Sequence, residues 1–510
     1  MFTQINSGGI RAVQGYVVSV EADVSNGLPA FSISGQLASE VRESQERVRT
    51  ALRNSGFRLP AKKVTVNLSP AGIHKGGTAY DLPIAVAVLG AFEQMDTNQL
   101  HDSLVIGELG LDGRVKPVNG VLPLVDMARK QGLKRCFLPA FNVREGTMIE
   151  GMEIVGVESL EQMTGMLRHP SSIRPLVGSG EEYRAEEESY GVDFKEVNGQ
   201  LVLRRAAEIA AAGMHGLLMN GSAGTGKTMV AKRIPTILPA LTREEDIEIS
   251  KIYSICGLLP PGRPLLSRRP FRNPHHTITP LALTGGGGQA RPGELSLASG
   301  GILFLDEFPH FAKSAINILR QPLEEHKVTV TRVHGNYEFP ADFIIIAAMN
   351  PCPCGFYPDR SRCNCSEQQI RRYLDRISRP VLERFDICAE TAPVTYEELC
   401  GKDRQNEDSA SIRRRVENAR MIQKKRFSGT KIRYNGRMGP KETAQFCVLD
   451  REEEQFMKLV YETKRLSARR YHKALKVART IADLDDSQPI RREHLAEALG
   501  YGMLEDRLWG

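Results

Sequence analysis

The chain has 510 residues, 41% of them hydrophobic and 25% charged, and a net charge of +7. That composition excludes a disordered or collagen-like chain, and the length allows roughly two to four domains with sizeable cores. The longest apolar stretch, 82–92, is too short to span a bilayer; residues 1–9 lack the basic start of an export signal, and nine cysteines form an odd set, so the expected compartment is a reducing cytoplasm.

Residues 1–168 mix strand and helix signals. Val64 to Leu68 alternates like a strand, 82–92 reads as a buried helix, and a glycine-rich turn region covers 107–120. Residues 169–190 read as an acidic linker containing Glu186, Glu187 and Glu188. From 191 to 395 strands alternate with helices, the pattern of a three-layer α/β sheet. The part 396–510 reads as a helical domain: a run from Asp450 to Leu484 has helical spacing without Pro or Gly, and a last helix covers about 491–499. Residues 401–450 carry 13 Lys/Arg against 6 Asp/Glu, which equals the whole net charge. This block fits a polyanion partner or an ordinary solvated helix surface.

Gly221-Ser222-Ala223-Gly224-Thr225-Gly226-Lys227-Thr228 matches the phosphate-binding pattern G-x-x-x-x-G-K-[ST] at every position. Glycines let backbone N–H groups close around phosphate oxygens, Lys227 neutralises the β- and γ-phosphates, and Thr228 offers a hydroxyl to Mg²⁺. An apolar strand at 215–220 precedes the loop and a helix follows it, so the expected ligand is ATP with Mg²⁺. A second apolar strand, 301–305, ends in Asp306 and Glu307: Asp306 to hold the Mg²⁺ shell, Glu307 to polarise the attacking water. A third, 343–348, leads to Asn350, which can orient the same water or merely start the Asn-Pro turn. Cys352, Cys354, Cys363 and Cys365 form two C-x-C pairs on one loop, either a tetrahedral Zn²⁺ site or free thiols. His275 and His276 are adjacent on an extended segment and point opposite ways, so no metal is expected there and the pair reads as structural or DNA-facing.

The ordered set resembles AAA+ ATPases, specifically the magnesium-chelatase-like ComM/YifB family. Its marks are Arg269-Pro-Phe-Arg-Asn-Pro-His-His-Thr277, Gly285 to Gly288, Arg291-Pro-Gly-Glu-Leu-Ser-Leu297, Asn350-Pro-Cys-Pro-Cys-Gly355 and Leu382-Glu-Arg-Phe-Asp386. The resemblance covers essentially the whole chain. It implies a P-loop AAA+ core at 191–395, a C-terminal helical lid at 396–510 and an α+β Lon-protease-like domain at 1–168. It also implies a homo-hexameric DNA motor with helicase or branch-migration activity, linked to recombination in natural transformation. DNA contacts in such a motor are sequence-nonspecific.

The same resemblance assigns roles. Arg384 matches the arginine finger that reaches a neighbouring subunit's γ-phosphate. Arg469 matches the sensor-2 arginine of the lid, and Arg470 stands where the family has glycine. Segments 328–332 and 337–340 flank a Gly-containing turn, as in a β-hairpin, at the place of the family's pore hairpin; Lys327, Arg332 and His334 are the expected DNA contacts. The Lon-like nucleophile position falls on Ala79 and its lysine position on Leu122, neither of which can act as nucleophile or base. Thr78 is adjacent without an aligned lysine. The domain therefore reads as a binding or assembly module. Rival readings are a chelatase-type motor subunit or other ATP-driven remodelling protein, an ATP-dependent protease and a non-enzymatic scaffold.

Overall fold

Strict alternation of apolar residues builds the first sheet. In the strand Gln14–Ser25, Val18, Val20, Ala22 and Val24 all face inward, and in Lys63–Ser69 the inward residues are Val64, Val66 and Leu68. These strands lie at the centre of a four-stranded sheet in the order Phe2–Arg11, Gln14–Ser25, Lys63–Ser69, Ala30–Ser34. Helix Asp81–Ala91, buried at every residue, covers it; its sequence is apolar after Asp81, whose carboxylate is paired with Arg47. A second four-stranded sheet follows, in the order Leu176–Val177, Glu153–Val157, Arg135–Pro139, Ser103–Val105. The computed structural model describes residues 2–178, 190–260, 262–288, 290–332, 335–392, 395–396, 406–503 and 508–509. The first part of the expected linker is thus structured, since Leu176–Val177 pairs with Glu153 and Ile154; the acidic run 186–188 lies outside the described residues.

The central unit is a five-stranded sheet in the order Phe271–Arg272, Ile302–Leu305, Ile344–Met349, Leu217–Asn220, Ile387–Glu390. All its pairings are parallel. Strands Leu217–Asn220, Ile302–Leu305 and Ile344–Met349 are buried at every position, which explains why their sequences are continuous apolar runs instead of alternating ones. Helices such as Leu201–Gly213 and Lys227–Arg233 join it through one apolar core that also includes the C-terminal helices Ser409–Arg426 and Ala468–Leu484. The long helical run of the sequence is two helices, Arg451–Lys464 and Ala468–Leu484. Arg465 adopts a left-handed backbone (φ +49°), and Ser467 caps the second helix through the Arg470 N–H.

The N-terminal part docks on the ATPase part through two helices, Val121–Lys130 and Arg243–Cys256. At their contact Lys251 Nζ lies 2.8 Å from Asp126 Oδ2, both side chains being buried. Burial alone would raise the Asp126 carboxyl, but hydrogen bonds from Lys130, Lys251 and Arg129 outweigh it and hold the group well below the usual carboxylate range. Its stabilising contribution is therefore present above the unfolded pKa of about 4 and is lost as pH falls below it. Asp126→Ala leaves the buried Lys251 with only the exposed Glu248 as partner and should destabilise the protein by up to about 3 kcal/mol at pH 7. Denaturant unfolding should show that difference shrinking as pH falls below about 4; equal stability of variant and parent at pH 7 would remove the pair from the docking contact.

Candidate nucleotide site

Parallel register brings three strand ends to one edge. Asn220 pairs with Met349 and Leu305 with Ala347, so Gly221, Asp306 and Asn350 emerge side by side. Gly224 (φ +78°) and Gly226 (φ +87°) take left-handed conformations that turn the loop back toward helix Lys227–Arg233. At Gly221 a side chain is excluded, because a Cβ there would lie 1.7 Å from Thr391 Oγ1.

Lys227 is buried, and its Nζ donates to the Gly221 carbonyl (2.6 Å), the Ser222 carbonyl (2.7 Å) and Asn350 Oδ1 (3.3 Å). Burial pulls its ammonium down to about 8, against the opposing attraction of Asp306. The Thr228 hydroxyl donates to Asp306 Oδ2 at 2.8 Å, and Asp306 Oδ1 accepts the Glu307 N–H at 3.0 Å. A hydroxyl and a carboxylate held this close, beside a phosphate loop, fit the ligand set of a nucleotide-bound Mg²⁺. When bound, MgATP supplies the electrophilic phosphorus and much of the charge neutralisation. The chain's part is to place Lys227 at the loop, hold the Thr228–Asp306 pair and aim Glu307.

Glu307 sits in a left-handed backbone conformation (φ +51°), a strain carried at the strand end. Its exposed carboxylate lies 3.3 Å from His276 Nδ1. His276 thus belongs to this site, and the two histidine rings do not point opposite ways: their centroids lie 4.1 Å apart, because the segment turns at 276–277 instead of running extended. Thr391, whose hydroxyl donates to Thr225 Oγ1 at 2.8 Å, is a second residue the sequence left unmarked. His275 instead meets Thr277 Oγ1 at 2.9 Å.

Arg384 and Arg469 lie elsewhere. Both line a cavity of about 420 Å³ that includes no phosphate-loop residue, with Glu324, Glu383, Arg437 and Lys473 among its walls. Arg384 pairs with Glu324 at 2.6 Å, and Arg469 pairs with Glu383. The Arg384 Nε is buried without a hydrogen-bond partner. The segment carrying Arg384 is anchored by Asp386, which accepts from the buried His215 at 2.9 Å while His215 Nε2 meets Thr480 of the lid at 2.8 Å. Burial would raise Asp386, but Lys476 and His215 outweigh it and keep the carboxylate ionised.

The four cysteines converge. Cys352 Sγ is 3.3 Å from Cys354 Sγ and 3.8 Å from Cys363 Sγ, and all four sulfurs lie within 4.8 Å of one another. They are the metal-competent cluster found among the described residues. The hairpin forms from Lys327–Arg332 and Gly335–Pro340; Arg332 stands at its turn and Lys327 at its base, paired with Glu338 at 2.7 Å. His334 lies outside the described residues. Arg11 of the N-terminal domain reaches the same hairpin, its guanidinium 5.9 Å from the Tyr337 ring centre.

Part of the basic segment is tied down by hydrogen bonds and ion pairs. Arg413 donates to the Thr236 carbonyl, Arg415 to Glu208 and Glu407, Arg420 to the Ala211 carbonyl, Arg426 to Asp483 and Arg437 to Asp342. Arg414, Lys424, Lys425, Lys431, Arg433 and Lys441 are exposed. Four arginines that charge counting offers to a polyanion therefore hold the lid to the core, and Arg426 ties two lid helices together. In the N-terminal domain Thr78 and Ala79 line a glycine-walled cleft with Gly8, Gly9 and His74, whereas Leu122 is fully buried.

Three family models match in succession: "Subunit ChlI of Mg-chelatase" at residues 20–142, "Magnesium chelatase, subunit ChlI" at 193–399 and "Magnesium chelatase, subunit ChlI C-terminal" at 406–502. Competence protein ComM of Haemophilus influenzae is 38% identical over 505 residues, covering 98% of this chain and 96% of that protein. The chain belongs to the ComM/YifB family of magnesium-chelatase-like AAA+ ATPases. YifB of Escherichia coli is 38% identical over 492 residues, covering 96% of this chain and 95% of its own. Lon protease 2 of Bacillus subtilis matches over 183 residues at 26% identity, covering 34% of this chain and 33% of that protein, in keeping with a Lon-like part.

Lys227 sets a pH dependence for nucleotide binding in this family member. Its free ammonium titrates near 8 and phosphate contact raises that value, so binding at pH 8.5 should take up protons, binding at pH 7 should not, and affinity should fall as pH rises past 8. Titration calorimetry in two buffers of different ionisation heat measures the uptake. Equal apparent heats in both buffers at pH 8.5 would exclude Lys227 as the titrating group.

Proposed function

We propose that this protein is a cytoplasmic, ATP-driven DNA motor that works as a ring of six copies, with helicase or branch-migration activity in recombination or natural transformation. The observation that carries the reading is the separation of the two halves of the hydrolytic set. Lys227, Thr228, Asp306, Glu307 and Asn350 share one edge of the sheet, while Arg384 and Arg469 line a cavity that contains none of the phosphate loop. Arg384, held by the exposed carboxylate of Glu324, is suited to exchange that partner for a neighbour's phosphate, and Arg469, held by the half-buried Glu383, to exchange its partner for nucleotide as the lid's sensor. ATP turnover then requires assembly. The printed name of the Haemophilus relative, a competence protein, supports DNA as the track.

DNA contact is assigned to the hairpin, with Arg332 at the turn and Arg11 beside it as the principal cations and Lys327 at the base as a lesser one. Such contacts go to phosphates and carry little sequence information. The Lon-like part is a non-proteolytic module, since Ala79 and Leu122 replace the nucleophile and lysine. The four cysteines are assigned one Zn²⁺: a Zn–S bond of about 2.3 Å in tetrahedral geometry puts sulfurs roughly 3.8 Å apart, close to the spacing present. No described helix is long and apolar enough to cross a membrane, so no membrane partner is assigned.

Two measurements test the motor. Arg384→Ala rings should lose turnover yet regain part of it when mixed with Lys227→Ala subunits, because some interfaces then combine an intact phosphate loop with an intact finger. Absence of any recovery across mixing ratios would place Arg384 outside a shared site. Arg332→Ala combined with Lys327→Ala should leave basal ATPase intact and abolish its stimulation by DNA, while parent binding to DNA falls with salt at a log–log slope of several units. A parent ATPase indifferent to single-stranded, duplex and forked DNA would favour a chelatase-type or other remodelling motor.

A further inference from the structure

The loop that carries the four cysteines is also a wall of the phosphate site. It begins at Asn350, whose Oδ1 accepts from Lys227 Nζ at 3.3 Å. Five residues later, Gly355 offers its carbonyl to the Ser222 hydroxyl of the phosphate loop at 2.7 Å. Between these two contacts stand Cys352 and Cys354. The turn is tied to its own sulfur: the N–H groups of Gly355 (3.2 Å) and Tyr357 (3.5 Å) both point at Cys352 Sγ, which is fully buried. Backbone N–H groups directed at one sulfur stabilise a thiolate, the form that binds metal. The second pair, Cys363 and Cys365, arrives on the segment entering helix Glu367–Leu374, which starts at a full capping box on Ser366 and Gln369. Cys354 is exposed, so the site is open to exchange with solvent.

We propose that the metal held by these cysteines is a strut of the phosphate loop: its occupancy fixes the Asn350-to-Gly355 turn and thereby sets nucleotide affinity. The inference rests on the zinc assignment above. Four sulfurs within 4.8 Å of one another need a cation to stay together as thiolates. With the cation gone, the turn relaxes, the Gly355 carbonyl leaves Ser222, and Asn350 loses its fixed approach to Lys227. The ligand class is a borderline-soft divalent cation with tetrahedral preference, and zinc fits it. The coupling is local and runs through one hydrogen bond on the phosphate loop and one on its lysine.

The test uses the full chain. Zinc content is measured by elemental analysis, and affinity for a fluorescent ADP analogue is measured before chelation, after chelation and after zinc is restored. Circular dichroism reports whether the stripped protein stays folded. Stripping should weaken nucleotide binding roughly three- to tenfold, the worth of about one hydrogen bond, and zinc should restore it. Ser222→Ala keeps every cysteine, so it should retain stoichiometric zinc, start from a weakened affinity and lose less on stripping than the parent does, because only the Asn350 contact remains coupled. A protein that neither contains nor takes up zinc would overturn the zinc assignment and the strut together. Stoichiometric zinc with equal nucleotide affinity in loaded and stripped protein would overturn the strut alone. If stripping unfolds the chain, the zinc-loaded Ser222→Ala protein decides: unchanged affinity overturns the strut and weakened affinity supports it.

Discussion

The nucleotide site depends on one constraint, the parallel pairing of three fully buried strands. Leu217–Asn220, Ile302–Leu305 and Ile344–Met349 have no polar face, so each must be covered by sheet neighbours and by helices above and below. Parallel pairing then puts their C-terminal ends on one edge, where the chain must turn. Phosphate loop, acidic pair and Asn350 are three such turns. A slip in register would separate Thr228 from Asp306 and so dismantle the 2.8 Å contact that suits this edge for magnesium.

Around that edge the protein holds its reactive groups through polar contacts that have alternatives. Lys227 rests on its own loop carbonyls, Glu307 leans on His276, and Arg384 and Arg469 rest on Glu324 and Glu383. Surface-exposed carboxylate partners of this kind contribute little to stability. They keep cationic groups extended and placed without making their release costly. By contrast, the contacts that hold the frame are buried: Arg426 with Asp483, His215 with Asp386, Lys251 with Asp126. The division separates a rigid scaffold from side chains able to change partner.

The lid and the N-terminal domain are joined to this frame differently. The lid shares the central hydrophobic core, and His215 links the strand approach, the Arg384 segment and the lid helix in one chain of hydrogen bonds. The N-terminal domain has one core of its own and shares a second with the ATPase part through Ile247, Leu259 and Leu265, alongside the helix pair and the Arg11 contact with the hairpin. The lid therefore shares the core of the central sheet, whereas the N-terminal domain packs through a separate shared core and reaches the hairpin.

Much of this was legible in sequence, because local patterns with a single structural outcome carry it. The phosphate loop requires its glycines, continuous apolar runs require a buried sheet, and alternation in 327–340 requires a hairpin; each stands where the residues put it. The helical run 450–484 was legible only as spacing, since a left-handed Arg465 costs little enough to break it without Gly or Pro. Contacts between distant segments were not legible: His276 at Glu307, Thr391 at Thr225, Arg11 at Tyr337 and the cysteine turn on Ser222. Charge counting overstated the free charge of the basic segment, because a count cannot tell an arginine in solvent from one donating to a buried carbonyl. The chain by itself determined which groups can do the chemistry, through residue type and spacing. Only the tertiary structure decided which of them meet, because hydrogen bonds and ion pairs act over about 3 Å and sequence separation does not measure that distance.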